Sequence, residues 1–515
     1  MDTPIVTSLF RQLFRHPPCP WRSAAPLSIP LNGARIAVQQ QRRTIIAERD
    51  DTKRAASDGE WHPKSPFLHI DMTEEFKRYP MVTAAQLASR KERPRRVKML
   101  VRDYIDGCCS DLLIFPHLSG LVLLVDALYN PHYGYFSKHA VIFATKEPFD
   151  FTAMKDEMEF HKRLADEYTR FEDELDAKEP NPLRQLWHTP TELFKPYYGE
   201  AIARYLVTNY KLSLYPYNDL IIYEMGAGNG TMMSNILNYI READPDVYNR
   251  TKYKVIEISG HLAGLQRKQA DSKGHADKIE IVNKSVFDWD TYVPDPCFFL
   301  ALEVFDNFAH DMIRYDPETE MPYQGIVLCD QYGDFHDFYI PQLDPVAERF
   351  LRVRNHVVRS PYEHPLNTPR FIRKLRKMLP AASNLTKPEY IPTKAMMFFD
   401  VLRERFPAHR LVMSDFHQLP DSVEGVNAPV VQTRYERETI AVTTPFVQQG
   451  YFDILFPTDF EVMDDMYKAL TGKLTRVMKH EDFMSKWAYL EETETRCGEN
   501  PLLGWYKNVS MLSSV

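Results

Sequence analysis

At 515 residues the chain is too long for one small domain, and 44% hydrophobic with 26% charged residues is an ordinary globular composition. A net charge of −8 gives no general attraction to nucleic acid. The six cysteines form no CxxC pair and no His-rich cluster accompanies them, so neither a disulfide framework nor a metal site is expected. No apolar run approaches the ~20 residues needed to span a bilayer.

Residues 1–47 carry six arginines, no lysine and one acid, Asp2. Ile5, Leu9 and Leu13, with Phe10 and Phe14 beside them, share one face of a short helix, and Arg11 and Arg15 project from its flank. An Arg-rich, acid-poor amphipathic start predicts a mitochondrial transit peptide and hence a matrix location, with processing near Arg42-Arg43-Thr44. Its removal would leave a body more acidic than the whole chain, which argues further against nucleic-acid partners. Residues 48–82 then read as a polar linker.

Residues 83–215 are expected to form a helical region. Thr83–Tyr104 predicts one or two helices broken at Pro94. In Met154–Leu175, Met154, Met158, Leu164, Tyr168, Phe171 and Leu175 recur at helical spacing, a stripe that predicts core packing. From residue 216 strands and helices alternate. Asp219–Glu224 predicts a first strand and Thr231–Arg241 a helix; Tyr253–Ile258 and His261–Asp271 repeat the pattern, followed by strands at Lys278–Val282 and Cys297–Glu303. The last is almost continuously apolar, as a parallel strand covered on both faces should be. Residues 216–303 are thus expected to be a Rossmann-like half and 304–395 a long insertion. His409–Ser414, with a late pair near Ile440–Thr443 and Tyr451–Phe456, would complete the sheet within 396–470, and 471–515 would be a helical tail. The expected fold class is doubly wound α/β.

Chemistry enters at Glu224-Met-Gly226-Ala-Gly228-Asn-Gly230-Thr231, a glycine loop directly between a strand and a helix. Glycines there let the backbone turn sharply and approach a ligand closely. Thr231 stands where a dinucleotide-binding loop needs its third glycine, which disfavours a nicotinamide oxidoreductase. Glu257 closes the second strand, where an acid can accept hydrogen bonds from both ribose hydroxyls. Glu224 is placed to meet an ammonium, directly or through water. The combination resembles the S-adenosylmethionine site of Rossmann-like methyltransferases. An adenine-reading group is then expected at Ser285, Asp288 or the Val286 backbone, and a methyl acceptor beside Glu303-Val-Phe-Asp306-Asn307, where a helix cap is the alternative use of Asp306 or Asn307.

Four stretches make the resemblance specific: Asn130-Pro-His-Tyr-Gly134-Tyr-Phe-Ser, Thr189-Pro-Thr-Glu192-Leu-Phe-Lys-Pro-Tyr-Tyr198-Gly199-Glu200, the glycine loop, and Tyr253-Lys-Val-Ile-Glu257-Ile-Ser259 with Leu262, Leu265 and Gln266. Gly450-Tyr-Phe-Asp453-Ile-Leu-Phe-Pro-Thr-Asp459-Phe460 adds a weaker match. From about Arg102 to Phe460 the sequence resembles the MidA family of mitochondrial complex I assembly-factor methyltransferases. The resemblance implies S-adenosyl-L-methionine as cofactor and symmetric dimethylation of an arginine on a complex I core subunit. The sequence departs from the family in Thr191, an extra residue before Glu192, and in the loop Leu302-Glu303-Val-Phe-Asp306-Asn307-Phe-Ala, both of which bear on the acceptor. Arginine is protonated and delocalised, so carboxylates must orient it. Glu303 and Asp306 are the candidates, with Glu192 or Glu200 closing the pocket, and no metal is required. A catalytically silent cofactor-binding scaffold and a small-molecule methyltransferase are the alternatives.

Related sequences, as the resemblance implies, lack residues 107–125: Ile105-Asp106 would run directly into Asp126-Ala-Leu128-Tyr-Asn-Pro. The segment is apolar, lacks a helical or alternating period, and is a whole number of codons. It reads as translated intron, with a genuine apolar insertion as the alternative.

Overall fold

The computed structural model describes residues 97–106, 128, 135–138, 140–329, 335–359, 362–377, 383–447 and 450–514. The expected transit peptide, the linker and the segment 107–125 lie outside the described residues. A seven-stranded sheet organises the rest. In chain order its strands are β1 (Leu220–Met225), β2 (Thr251–Ile256), β3 (Ile279–Val282), β4 (Cys297–Leu302), β5 (His409–Phe416), β6 (Thr475–Lys479) and β7 (Val509–Ser514). Their order across the sheet is β3-β2-β1-β4-β5-β7-β6. The first five run parallel, while β7 is antiparallel to both β5 and β6. The order reverses at β1, where β2 lies on one side and β4 on the other. In an open α/β sheet the crevice at such a switch, beyond the carboxyl ends of the strands, is where ligands bind.

The sequence dictates this arrangement through burial. All of β4 except Leu302 is buried, and so is β1 apart from Ile221, because helices cover both faces of the sheet. The helices used below are α1 (Glu157–Asp176), α2 (Tyr197–Ser213), α3 (Thr231–Ala243), α4 (Gly260–Lys273), α5 (Thr393–Arg405) and α6 (Phe460–Thr471). Tyr223 stacks on Phe299 and meets Trp289 and Phe406 edge-on, while α5 and α6 contribute Phe398, Phe399, Met463 and Met466 to the same core. Register then sets the site. Met225 pairs with Ala301, and Leu302 with Ser414, so the segments leaving β1, β4 and β5 emerge side by side.

Several expectations are corrected. Of the helices expected over Thr83–Tyr104, residues 83–96 lie outside the described residues; of the remainder, Val97–Leu100 is a strand paired with Pro322–Cys329, and a helix runs from Val101 to Asp106. The insertion 304–395 supplies most of a second, five-stranded sheet, in which Val97–Leu100 finds its partner. The region 83–215 is not wholly helical: Ala140–Ile142 and Gln185–Trp187 form a two-stranded parallel sheet. On α1 the buried face is Phe160, Leu164, Tyr168 and Glu172, the last paired with Arg434 at 2.9 Å, and Met158 is exposed. The late strands Glu438–Val442 and Asp453–Leu455 join Val430–Tyr435 in a separate sheet. The central sheet is completed instead by β6 and β7, from the segment expected to be a helical tail. Their residues alternate less clearly in polarity, and β7 is buried along its whole length. No described helix is long and apolar enough to cross a membrane.

Candidate active site

The loop between β1 and α3 has the shape its glycines permit. Gly226, Gly228 and Gly230 have φ of +73°, +52° and +82°, in the left-handed region. A Cβ on Gly228 would lie 2.9 Å from Ile142 Cδ1, and one on Gly226 3.2 Å from Val304 Cγ2. Gly230, at the start of α3, has no side chain to cap it, which leaves first-turn N–H groups for other acceptors.

Two acids flank this loop. Glu224, buried at the end of β1, accepts a hydrogen bond from the Tyr253 hydroxyl at 2.8 Å. Burial pushes its carboxyl up to about 7, with the charge of Glu257 adding to the effect and the Tyr253 hydrogen bond opposing it. Glu257, just after β2, is also raised by burial; its two oxygens accept from the Ser259 N–H at 2.8 Å and Gln266 Nε2 at 2.9 Å. Gln266 Nε2 also donates to the Gly228 carbonyl at 2.9 Å, so one fully buried amide of α4 joins the glycine loop to the acid. Its Oε1 is buried without a hydrogen-bond partner. Ile258, beside Glu257, is 46% exposed, an apolar face next to polar groups. Ser285 uses its hydroxyl to cap the turn Val286–Asp288, accepting from the Phe287 N–H at 3.2 Å, and Asp288 is exposed.

Across the crevice, the segment after β4 is held in an unusual shape. Glu303 has φ +56°, a left-handed conformation that costs a non-glycine residue about 1–2 kcal/mol. Its N–H donates to the Ser414 carbonyl at 2.8 Å. Asp415, at the end of β5, fixes the turn. Its Oδ2 accepts the N–H groups of Val304, Phe305 and Asp306 at 3.2, 2.7 and 3.1 Å, and its Oδ1 accepts that of Phe416 at 2.7 Å. Asp306 is buried with Oδ1 unpartnered, and so is Asp453 from the segment Asp453–Leu455. Burial raises Glu303 and Asp306 well above the usual carboxylate range, and Asp415 and Asp453 to about 7. The charge of Asp415 raises Glu303 further, and those of Asp415, Asp453 and Glu303 raise Asp306. Two buried phenols, Tyr198 of α2 and Tyr506, also feel the Glu303 charge, and the Tyr506 hydroxyl has no partner. Among the described residues no three His, Cys, Asp or Glu side chains converge as a metal site.

The structure therefore brings Glu303 and Asp306 together and adds Asp415, Asp453, Tyr198 and Tyr506, none of which the sequence reading had assigned a role. Asp453 lies in a stretch already noted as a weak family match, and Tyr198 in a stronger one. Asp415 left only the signal of an acid directly after an apolar strand. Glu192 is buried but faces the glycine loop: its Oε1 accepts from Thr231 Oγ1 at 2.7 Å and Asn229 Nδ2 at 3.1 Å. Glu200 has Arg204, Glu242 and Glu492 as charged neighbours. Glu242 is in the last turn of α3, the end opposite the loop, so Glu200 is not brought to the pocket.

The family described as "Putative S-adenosyl-L-methionine-dependent methyltransferase" matches residues 201–478, more than half of the chain. The chain is similar to a Schizosaccharomyces pombe protein named protein arginine methyltransferase NDUFAF7 homolog, mitochondrial, with 25% identity over 301 residues, 56% of this chain and 64% of the relative. In that alignment it spans less than two thirds of the relative's length. A Saccharomyces cerevisiae protein of the same name is 22% identical over 344 residues, 62% of this chain and 78% of the relative. A solved Burkholderia thailandensis structure bound to S-adenosyl-homocysteine aligns with a TM-score of 0.47 and 13% identity, over 75% of this chain and 85% of that one. On the extent of the family match, this chain belongs to that family of S-adenosyl-L-methionine-dependent methyltransferases.

Proposed function

We propose that the chain transfers a methyl group from S-adenosyl-L-methionine to an arginine side chain of a mitochondrial matrix protein. The left-handed glycine loop, with Gly228 at φ +52° and facing the tip of Ile142, and the unpartnered Gln266 Oε1 fit a ligand laid across the end of β1. In this reading Glu257 accepts from ribose hydroxyls, Glu224 faces the amino-acid end, and Ile258 covers the purine, with Ser285 and Asp288 at its far edge. The bound cofactor supplies a methyl group already activated on a sulfonium.

The observation that carries the acceptor assignment is the group of buried carboxyls around the β4 turn, with Oδ1 of both Asp306 and Asp453 unpartnered. Such a group disfavours an anionic or neutral guest and suits a cation that desolvation alone could not hold. A guanidinium stays protonated at a pKa above about 12, so the pocket must orient it rather than deprotonate it outright. Glu303 and Asp306 would grip two of its nitrogens and localise the charge away from the third, which would face the methyl group; the proton that nitrogen sheds would pass to one of the two carboxylates, and S-adenosyl-homocysteine would be the leaving group. Asp415 keeps Glu303 in place without touching the acceptor. The names of the yeast relatives support the arginine and mitochondrial assignments. The family resemblance carries the finer reading, symmetric dimethylation of a complex I core subunit.

The test is transfer of labelled methyl groups from S-adenosyl-L-methionine into a mitochondrial matrix lysate, with mass spectrometry of labelled peptides. Symmetric dimethylarginine on a complex I subunit supports the full reading. Label confined to small molecules, or no transfer despite cofactor binding, favours the small-molecule enzyme or the silent scaffold.

A further inference from the structure

Thr189-Pro-Thr-Glu192 has the spacing of a capping box, in which a threonine caps the first turn of a helix and the glutamate reaches back to the threonine's own N–H. Half of that box is present: Thr189 Oγ1 accepts the Glu192 N–H at 3.2 Å and opens the single turn Pro190–Leu193. The other half is missing, because the carboxylate is used elsewhere. Oε1 takes the Thr231 hydroxyl at 2.7 Å and the Asn229 amide at 3.1 Å, and Oε2 takes Lys195 Nζ at 3.1 Å. Lys195 in turn donates to the Thr145 carbonyl at 2.6 Å, three residues beyond Ile142, the side chain that faces Gly228. Glu192 is 3% exposed, so these bonds form away from water and the lysine balances its charge.

The residues held are those on either side of Gly230, the left-handed position where the glycine loop becomes α3. The glycines take left-handed φ values without steric cost, and a single backbone hydrogen bond, Gly230 N–H to the Ala227 carbonyl at 2.8 Å, closes the loop on itself, so its shape among many open to glycine depends on contacts from outside. We propose that Glu192 is a positioning residue for this loop: with Lys195 it clamps residues 229–231 into the ligand-ready shape and so sets cofactor affinity, instead of gripping the methyl acceptor. The inference rests on the cofactor reading above but not on the identity of the acceptor.

The test uses the full chain without and with S-adenosyl-homocysteine. In Glu192→Ala the amides of residues 226–231 should exchange about tenfold or more faster in the cofactor-free protein, and the calorimetric Kd should rise by a similar factor. Glu192→Gln keeps an acceptor oxygen for Thr231 and Asn229 but turns an NH2 toward Lys195, so it should restore only part of the protection. Thr231→Val removes the 2.7 Å bond alone and should act in the same direction, and its effect should not add to that of Glu192→Ala. Unchanged exchange and Kd in Glu192→Ala, with a raised KM for the acceptor peptide, would return Glu192 to the acceptor pocket and overturn the proposal. If Glu192→Ala does not fold, Thr231→Val decides alone: wild-type exchange and affinity overturn the clamp. Failure of the wild-type chain to bind S-adenosyl-homocysteine would instead remove the cofactor reading.

Discussion

Asp415→Asn should separate turnover from stability. The wild-type carboxylate accepts four backbone N–H groups, three on Oδ2 and one on Oδ1. A neutral amide can keep at most the three on its oxygen, while its NH2 opposes the Phe416 N–H. Hydrogen bonds to a charged acceptor are worth about 1 kcal/mol more than neutral ones, so full loss of charge would weaken the turn by roughly 3–4 kcal/mol. Burial raises Asp415 to about 7, so near neutral pH only part of that charge is present and the loss falls to about 2 kcal/mol. In a protein of this size that shifts the melting temperature by only ~2–3 °C. The same 2 kcal/mol, applied to the turn that holds Glu303 at φ +56°, is enough to let that residue relax. Methyl transfer should therefore fall at least tenfold while the melting temperature barely moves and S-adenosyl-homocysteine still binds. Turnover within twofold of wild type, measured with saturating cofactor and acceptor, would refute the claim that the Asp415 cradle holds the catalytic geometry.

Cofactor binding should be pH-dependent. Glu224 sits at about 7 in the free protein, and an ammonium beside it favours the ionised form. Affinity for S-adenosyl-homocysteine should thus rise as pH increases from 6 to 7 and level off above 8; calorimetric affinity that is flat or falls across that range would remove Glu224 from the ammonium site. Gly228→Val places a β-branched side chain at φ +52° and 2.9 Å from Ile142 Cδ1, so it should abolish measurable cofactor binding at some cost in thermal stability. Normal affinity in that variant would mean the loop does not approach the ligand. Glu257→Ala removes an acceptor from the ligand and frees Gln266, which should cost about 1–3 kcal/mol of binding by titration calorimetry; an unchanged Kd would exclude it from the ribose site.

The parts of the site built on local pattern were legible in the sequence. The glycine loop follows a short apolar run and precedes an in-phase helix, and Glu257 ends the next strand. Those residues depend on neighbours in the chain, so spacing finds them. The acceptor side is assembled over distance. Asp415 matters only because Ser414 pairs with Leu302 across two strands 112 residues apart. Asp453 and Tyr506 reach the pocket from segments expected to be sheet remainder and helical tail, and no local period marks them. Glu192 was legible as an important acid but not in its role, since its spacing fits a cap and only the fold shows which hydroxyl it meets. The same limit explains the sheet. Strand β7 pairs antiparallel between β5 and β6, and its segment, Val-Ser-Met-Leu-Ser-Ser, looks like an ordinary polar tail until those neighbours bury it.

In the proposed mechanism the buried carboxyls around the β4 turn receive a guanidinium. Free, Glu303 and Asp306 are raised well above the usual carboxylate range by burial and by neighbouring carboxylates, which favours their protonated forms. A bound cation favours the ionised forms and so draws protons off. The direct measurement is calorimetric titration of an arginine peptide into the S-adenosyl-homocysteine complex at pH 7, repeated in buffers of different ionisation enthalpy, with the citrulline peptide as control. Net proton release is expected on binding the arginine peptide, diminished in Glu303→Gln and Asp306→Asn, with little affinity for citrulline. Arginine binding without proton release, or citrulline binding equally well, would contradict it.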